Sequence, residues 1–318
     1  MPDHNFICGE IFSSAQKWGC GSASLEKLGE SRGNPDSIDT PTFRSPHIFQ
    51  DQVPDIAENI AAKFSACSQV VAIALAGSKS SNLSDNSSDF DFYIYTQSEI
   101  PLDTRTHIAR EFATKIEINN CFWEPGDEWI DNNSGCGIDI MYRTPDWISS
   151  QLDRVLVHHQ ASVGYSTCFW WNVLTSQTLY DTGGWFSQLQ EKAKQPYPEQ
   201  LRRAIVAKNH PILRQNISSY IHQIELAINR RDFVSINHRI TALLASYFDI
   251  IFAVNYLPHP GEKRLLDFAK LCKKIPNNLE ESVNNLLTAS WNNNQNVIVQ
   301  INKLIDSLDE ILIAEELI

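Results

Sequence analysis

Asp89 and Asp91 stand two residues apart in DFDFYIY, a run whose other members are aromatic or apolar. In a strand the side-chain period is two, so both carboxylates project from one face while Phe90 and Phe92 project from the other. Like charges held that close oppose each other's ionisation, and a divalent cation with hard oxygen ligands, such as Mg2+, relieves the repulsion. Upstream, Val70-Val71-Ala72-Ile73-Ala74-Leu75 reads as a buried strand that delivers Gly77-Ser78 to the same sheet edge. Glycine lets a backbone approach a ligand closely. The amides after Gly77, with the Ser78 hydroxyl, suit a grip on terminal phosphates at the start of a short helix. The chemistry open to such a set is metal-dependent work on a nucleotide.

Gly-Ser followed by Asp-x-Asp eleven residues after the serine resembles the signature of the DNA polymerase β-like nucleotidyltransferase superfamily, particularly its aminoglycoside-type and minimal branches. GCGIDIMYR adds Asp139 between Ile138 and Ile140, in a second short apolar strand where that pattern asks for a third acid. FWEPGDEWIDNNSGCGIDIMYR and YLPHPGEKRLL are also similar to an uncharacterised bacterial group that joins a nucleotidyltransferase domain to a helical tail. The resemblance spans roughly residues 50–270. It implies an α+β fold, a small mixed-sheet nucleotidyltransferase domain followed by an α-helical bundle.

The implied reaction moves a nucleoside monophosphate, AMP from ATP or the equivalent from another nucleoside triphosphate, to a hydroxyl of a small molecule or protein, with Mg2+ as cofactor. Negative charge must then be held on both the attacking and leaving oxygens, which a two-metal site about 3.5–4 Å across does. Asp89 and Asp91 are expected to ligate the metals, and Asp139 to join them or to take the acceptor's proton. Gly77 and Ser78 are the expected nucleotide-binding residues. Many members continue past Gly-Ser with a small residue and Arg-Gly, whereas Lys79-Ser80-Ser81-Asn82 stands here, so Lys79 is expected to supply the charge. Lys263 is expected to reach the triphosphate across the cleft, as helical-domain lysines do in related enzymes. The same departure motivates an alternative: a catalytically degenerate nucleotide-binding or interaction protein, for example an antitoxin-like partner of a toxin.

Three segments position these residues. Residues 1–48, rich in Gly, Ser, Pro and Asp, read as a loosely ordered extension; 49–183 as the nucleotidyltransferase domain; and 184–318 as the helical acceptor domain. Helical spacing in PDIAENIAAKFSAC precedes the first strand; a further helix is expected over 102–114, and strands near 115–122 and 137–142. The interval between Phe122 and Gly137 reads as an acidic loop. Glu124, Asp127, Glu128 and Asp131 give it a charge that suits a cationic acceptor, a solvated loop being the plainer reading; Trp123 and Trp129 suit stacking on a nucleobase or an acceptor ring, packing on the sheet being the plainer reading. After Pro145 the chain reads as helices over 147–160, 164–176, 198–229, 232–256, 262–274 and 279–312, interrupted at LYDTGG. Pro260 and Glu262 are placed in the first turn of the 262–274 helix.

With 26 Lys and Arg against 38 Asp and Glu, the net charge of −12 argues against an extended nucleic-acid track. Arg202-Arg203 and Arg230-Arg231 read as solvated helix surface. No apolar run approaches the ~18 residues a membrane span needs. The first twenty residues carry neither a basic leader nor an apolar core, so a cytoplasmic location is expected. Seven cysteines without CxxC spacing read as reduced thiols. His238 and His259 lack a partner histidine at metal-ligand spacing and do not read as zinc ligands.

Overall fold

A strand that sends Ile73 and Leu75 into one apolar layer and Ala72 and Ala74 into another must lie inside a sheet covered on both sides, and β1 (Val70–Ala76) does so. The computed structural model describes residues 54–76, 89–122, 124–292 and 294–318, the side chains at 291–295 excepted. The 1–48 extension, Gly77, Ser78, Lys79, the short helix expected after them and Trp123 lie outside the described residues.

The fold is mixed α/β. β1, β2 (Phe90–Thr96), β3 (Lys115–Asn120), β4 (Gly126–Ile130), β5 (Gly137–Arg143) and β6 (Gln177–Asp181) form one sheet in the order β3-β4-β5-β2-β1-β6. β2 and β5 are parallel, and the other neighbours are antiparallel. A parallel neighbour needs a crossover. Here α2 (Leu102–Phe112) and the β3–β4 hairpin supply it.

Phe90, Phe92, Ile94, Ile138 and Ile140 pack on one face against α1 (Asp55–Ser65), through Ile60 and Phe64, and against α2, through Ile108. The other face, through Ala72, Ala74 and Tyr95, packs on α3 (Pro145–Leu156), α4 (Cys168–Thr175) and α5 (Trp185–Ala193), and reaches Leu201 and Ile205 of α6 (Glu199–Arg214). A second apolar core is built by α6, α7 (Tyr220–Arg230), α8 (Phe233–Val254), α9 (Leu265–Lys270), α10 (Leu279–Asn292) and α11 (Asn294–Ala314). Phe248, Ile250, Ile251 and Phe252 of α8 lie in its centre, as the apolar stripe requires.

Several expectations are corrected. The interval before Gly137 is not a loop: GDEWI forms β4, since Trp129 alternates into the core while Glu128 faces outward. LYDTGG is not a plain break, because Gln177–Asp181 forms the edge strand β6 before the turn. The stretches 198–229 and 279–312 each fold as two helices. The 262–274 helix begins only at Leu265, after Arg264 at φ 57°, so Pro260 and Glu262 lie in the turn ahead of it. Arg202 is not solvated: it is buried, pairs with Glu199 and Glu315, and lies over the Tyr256 ring.

A buried polar knot ties the segment before α4 to the helices. The Asp249 carboxyl of α8 accepts from the Ser166 amide at 3.0 Å, the Ser166 hydroxyl at 2.6 Å and Asn209 of α6 at 3.3 Å. Burial pushes the Asp249 carboxyl up to about 7, against the opposing pull of the Ser166 bonds and of Arg154. Between the ordinary carboxylate pKa and about 7 the folded chain therefore holds a proton that the unfolded chain has lost, so this group's contribution to stability falls as pH rises through that window. Asp249→Asn has no such titration. Its stability relative to the wild type rises from pH 4 to pH 7 in urea unfolding, and a constant difference across that range contradicts the assignment.

Candidate active site

Asp89, just ahead of β2, and Asp91, within it, share the sheet face of Tyr93 and Tyr95, opposite Phe90 and Phe92. Parallel pairing sets Asp91 directly beside Asp139 of β5, at the roughly 4.8 Å spacing of neighbouring strands. The three predicted acids thus come from adjacent strands onto one face. β1 ends at Ala76, which is paired with Asp91.

Gly137 explains the tight fit at this edge. Its amide donates to the Asp89 carboxylate at 3.2 Å, and a Cβ at this position would stand 2.4 Å from Asp89 Oδ1. The second glycine of GCGID is therefore a seat for Asp89. Gly137→Ala forces that short side chain aside, and a 1 Å misplacement of a reacting group is worth roughly 100-fold in rate. The expected result is a loss of turnover of that order with little change in melting temperature; unchanged turnover removes Asp89 from the site.

Burial raises the Asp91 pKa, the Lys263 charge pulls it down, and the charges of Asp89 and Glu124 raise it again. Lys263 is exposed, in the turn before α9, and its charge acts on Asp91. Two further acids belong to this face. Glu128 of β4 is the antiparallel partner of Asp139, and Glu117 of β3 the partner of Glu128, so a row of carboxylates crosses four strands. Glu124 is held by Arg143 of β5, whose Nη2 donates at 2.9 and 3.0 Å. Arg143 is itself buried, over Tyr93 at 4.1 Å, Trp147 at 4.9 Å and Phe169 at 5.2 Å. Burial works against its charge, but Tyr93, Glu124 and Tyr95 outweigh that, and the guanidinium stays ionised.

The acidic interval divides by strand parity. Asp127 turns inward to Arg105, and Asp131 caps its own turn by accepting from the Ser134 amide at 2.7 Å, so neither faces an acceptor. Sequence reading grouped Asp127, Glu128 and Asp131 as one loop. The structure separates them: Asp127 and Trp129 are buried on one side of β4 and Glu128 lies on the other. Among the described residues no three His, Cys, Asp or Glu side chains converge as a formed metal centre.

No family model matches this chain, and no curated protein does. Among solved structures it is similar to a nucleotidyltransferase-like protein from Exiguobacterium sibiricum 255-15, at 10% identity over 81% of this chain and 74% of that one, with a TM-score of 0.39. A likeness that slight carries no argument, and the reading of the site rests on its residues.

Proposed function

We propose that this chain is a metal-dependent nucleotidyltransferase that moves a nucleoside monophosphate, AMP from ATP in the first instance, to a hydroxyl of a small molecule or protein. The observation that carries the reading is the in-register pair Asp91 and Asp139, with Asp89 seated on Gly137 beside them. The donor set suits Mg2+: every group is a hard carboxylate oxygen, and the half-buried Asp91 feels the charges of Asp89 and Glu124 with Lys263 as the offsetting charge. Asp89 and Asp91 would hold the metal, which when bound neutralises charge on the oxygens of the transferring phosphoryl group.

The chain's own residues supply the rest. Asp139, paired with Asp91 and Glu128, would join Asp89 and Asp91 at the metal or accept the acceptor's proton. Lys263 and, from the segment after β1, Gly77, Ser78 and Lys79 take the phosphates. Glu128 and Glu117 extend the acidic face on the side away from β1, where an acceptor approaches Asp139.

The test is thermal stabilisation by each of ATP, GTP, CTP and UTP with Mg2+, followed by pyrophosphate release, in the wild type and in Asp91→Asn. One triphosphate stabilises the wild type, and Asp91→Asn loses the effect. Stabilisation without pyrophosphate release for any acceptor identifies the chain as a nucleotide-binding partner protein instead. No stabilisation by any of the four sinks the reading.

A further inference from the structure

Lys263 is an exposed side chain on a turn, and an exposed lysine on a mobile turn would spend little time near any one phosphate. What distinguishes this turn is its root. His259, four residues earlier, is completely buried, its ring 4.8 Å from that of Tyr165 and 5.0 Å from that of Phe252. Its amide donates to the Thr167 hydroxyl at 2.7 Å, and its Nδ1 accepts the Gly261 amide at 3.1 Å. Gly261 sits at φ 101°, a conformation that side-chain-bearing residues avoid. The imidazole thus closes the turn on itself, and the backbone fastens it to the residue that opens α4.

That anchor leads back to the acids. Thr167 precedes α4, whose Phe169 faces Arg143; Arg143 covers Tyr93, two residues from Asp91. The ring pays for its place in lost solvation: burial holds its pKa down to about 3, and Nε2 has no partner among the described residues. A leucine would fill that space without the penalty. A structural filler has no need of an imidazole here, whereas a device that must accept the Gly261 amide does.

We propose that His259 is a positioning residue for Lys263: by accepting the Gly261 amide and donating to Thr167 it holds the 257–264 turn so that the Lys263 ammonium faces the Asp91 side of the sheet. This rests on the nucleotidyltransferase reading, and it makes the turn a fixed phosphate-binding arm contributed by the helical part of the chain. Rigid placement raises affinity by removing the ordering cost that a free side chain bears on binding.

The experiment is a set of dissociation constants for ATP with Mg2+, or for whichever of the four triphosphates stabilises the wild type, measured by calorimetry. Lys263→Met is expected to weaken binding about tenfold, His259→Leu nearly as much, and the double variant no more than Lys263→Met alone, because the histidine acts through the lysine. His259→Asn, whose Oδ1 stands in for Nδ1, recovers most of the affinity; a general packing role predicts no such rescue. Should His259→Leu fail to fold, Thr167→Val decides: a few-fold weakening that disappears in the Lys263→Met background supports the proposal. Effects of His259 or Thr167 that multiply with that of Lys263→Met overturn it, as does wild-type affinity in His259→Leu. If Lys263→Met binds normally while Asp91→Asn does not, the positioning role is wrong and the nucleotidyltransferase reading stands. If the wild type binds no triphosphate, both fall.

Discussion

Asp91→Asn removes triphosphate stabilisation and lowers pyrophosphate release by about 100- to 1,000-fold. The reason lies in where the residue sits. Asp91 stands beside Asp139 on the parallel strand and two residues after Asp89, and burial, Asp89 and Glu124 raise its proton affinity against the pull of Lys263. Metal-ion stabilisation of a transferring phosphoryl group is worth several kcal/mol, and each 1.36 kcal/mol is tenfold in rate, so losing most of it gives the stated range. The stabilising effect is as readable: a triphosphate at ~100 times its dissociation constant adds about 2.7 kcal/mol, and the variant shows none of it. The substitution is nearly isosteric and relieves carboxylate repulsion, so the apo protein melts no lower than the wild type. Pyrophosphate release within threefold of wild type contradicts the assignment of the acids. A lower apo melting temperature means Asp91 is structural.

Asp127→Asn, in β4 and paired with Ile140, the neighbour of Asp139, has the opposite profile: it lowers stability by about 3–5 kcal/mol and leaves triphosphate affinity unchanged. Asp127 is completely buried on the far face, paired with Arg105, which is itself only 5% exposed. Its carboxylate also accepts from the Tyr142 hydroxyl at 2.7 Å and the Asn119 amide at 2.9 Å, and Arg105 lies over the Tyr142 ring at 4.3 Å. Removing one partner of a buried pair leaves the other charge uncompensated, and that is the origin of the cost. Arg105→Met with Asp127→Leu recovers only part of it, because the Tyr142 and Asn119 donors then have no acceptor. Urea unfolding measures the loss. A change under 1 kcal/mol would show that water already solvates the pair; a weakened triphosphate affinity would place Asp127 on the wrong face.

The contrast between Asp127 and Glu128 shows where sequence reading stopped. Both are acids in the same five-residue stretch, and polar content made that stretch look like a loop. A strand that buries a charged residue against an arginine from a distant helix hides its own hydrophobic pattern, so β4 became visible only with Arg105 in place. β6 was missed for a related reason: all five of its residues are half-buried, with no alternation to read. The 198–229 stretch ran together because its helical periodicity continues across the short 215–219 connection, which holds neither Pro nor Gly.

What the sequence by itself determined is everything that follows from local period and residue type. Asp89 and Asp91 lie on one side of the strand that Phe90 and Phe92 bury. Asp139 sits in an apolar strand, α8 presents a core stripe, and the charge balance is acidic. Only the tertiary structure decided which strands are neighbours. It set Asp139 beside Asp91, continued the acids through Glu128 and Glu117, seated Asp89 on Gly137, and rooted the Lys263 turn on a buried His259. The division has one physical cause. Side-chain direction is set by backbone geometry within a few residues, whereas partners 48 residues apart, such as Asp89 and Gly137, are chosen by burying the whole sheet at once.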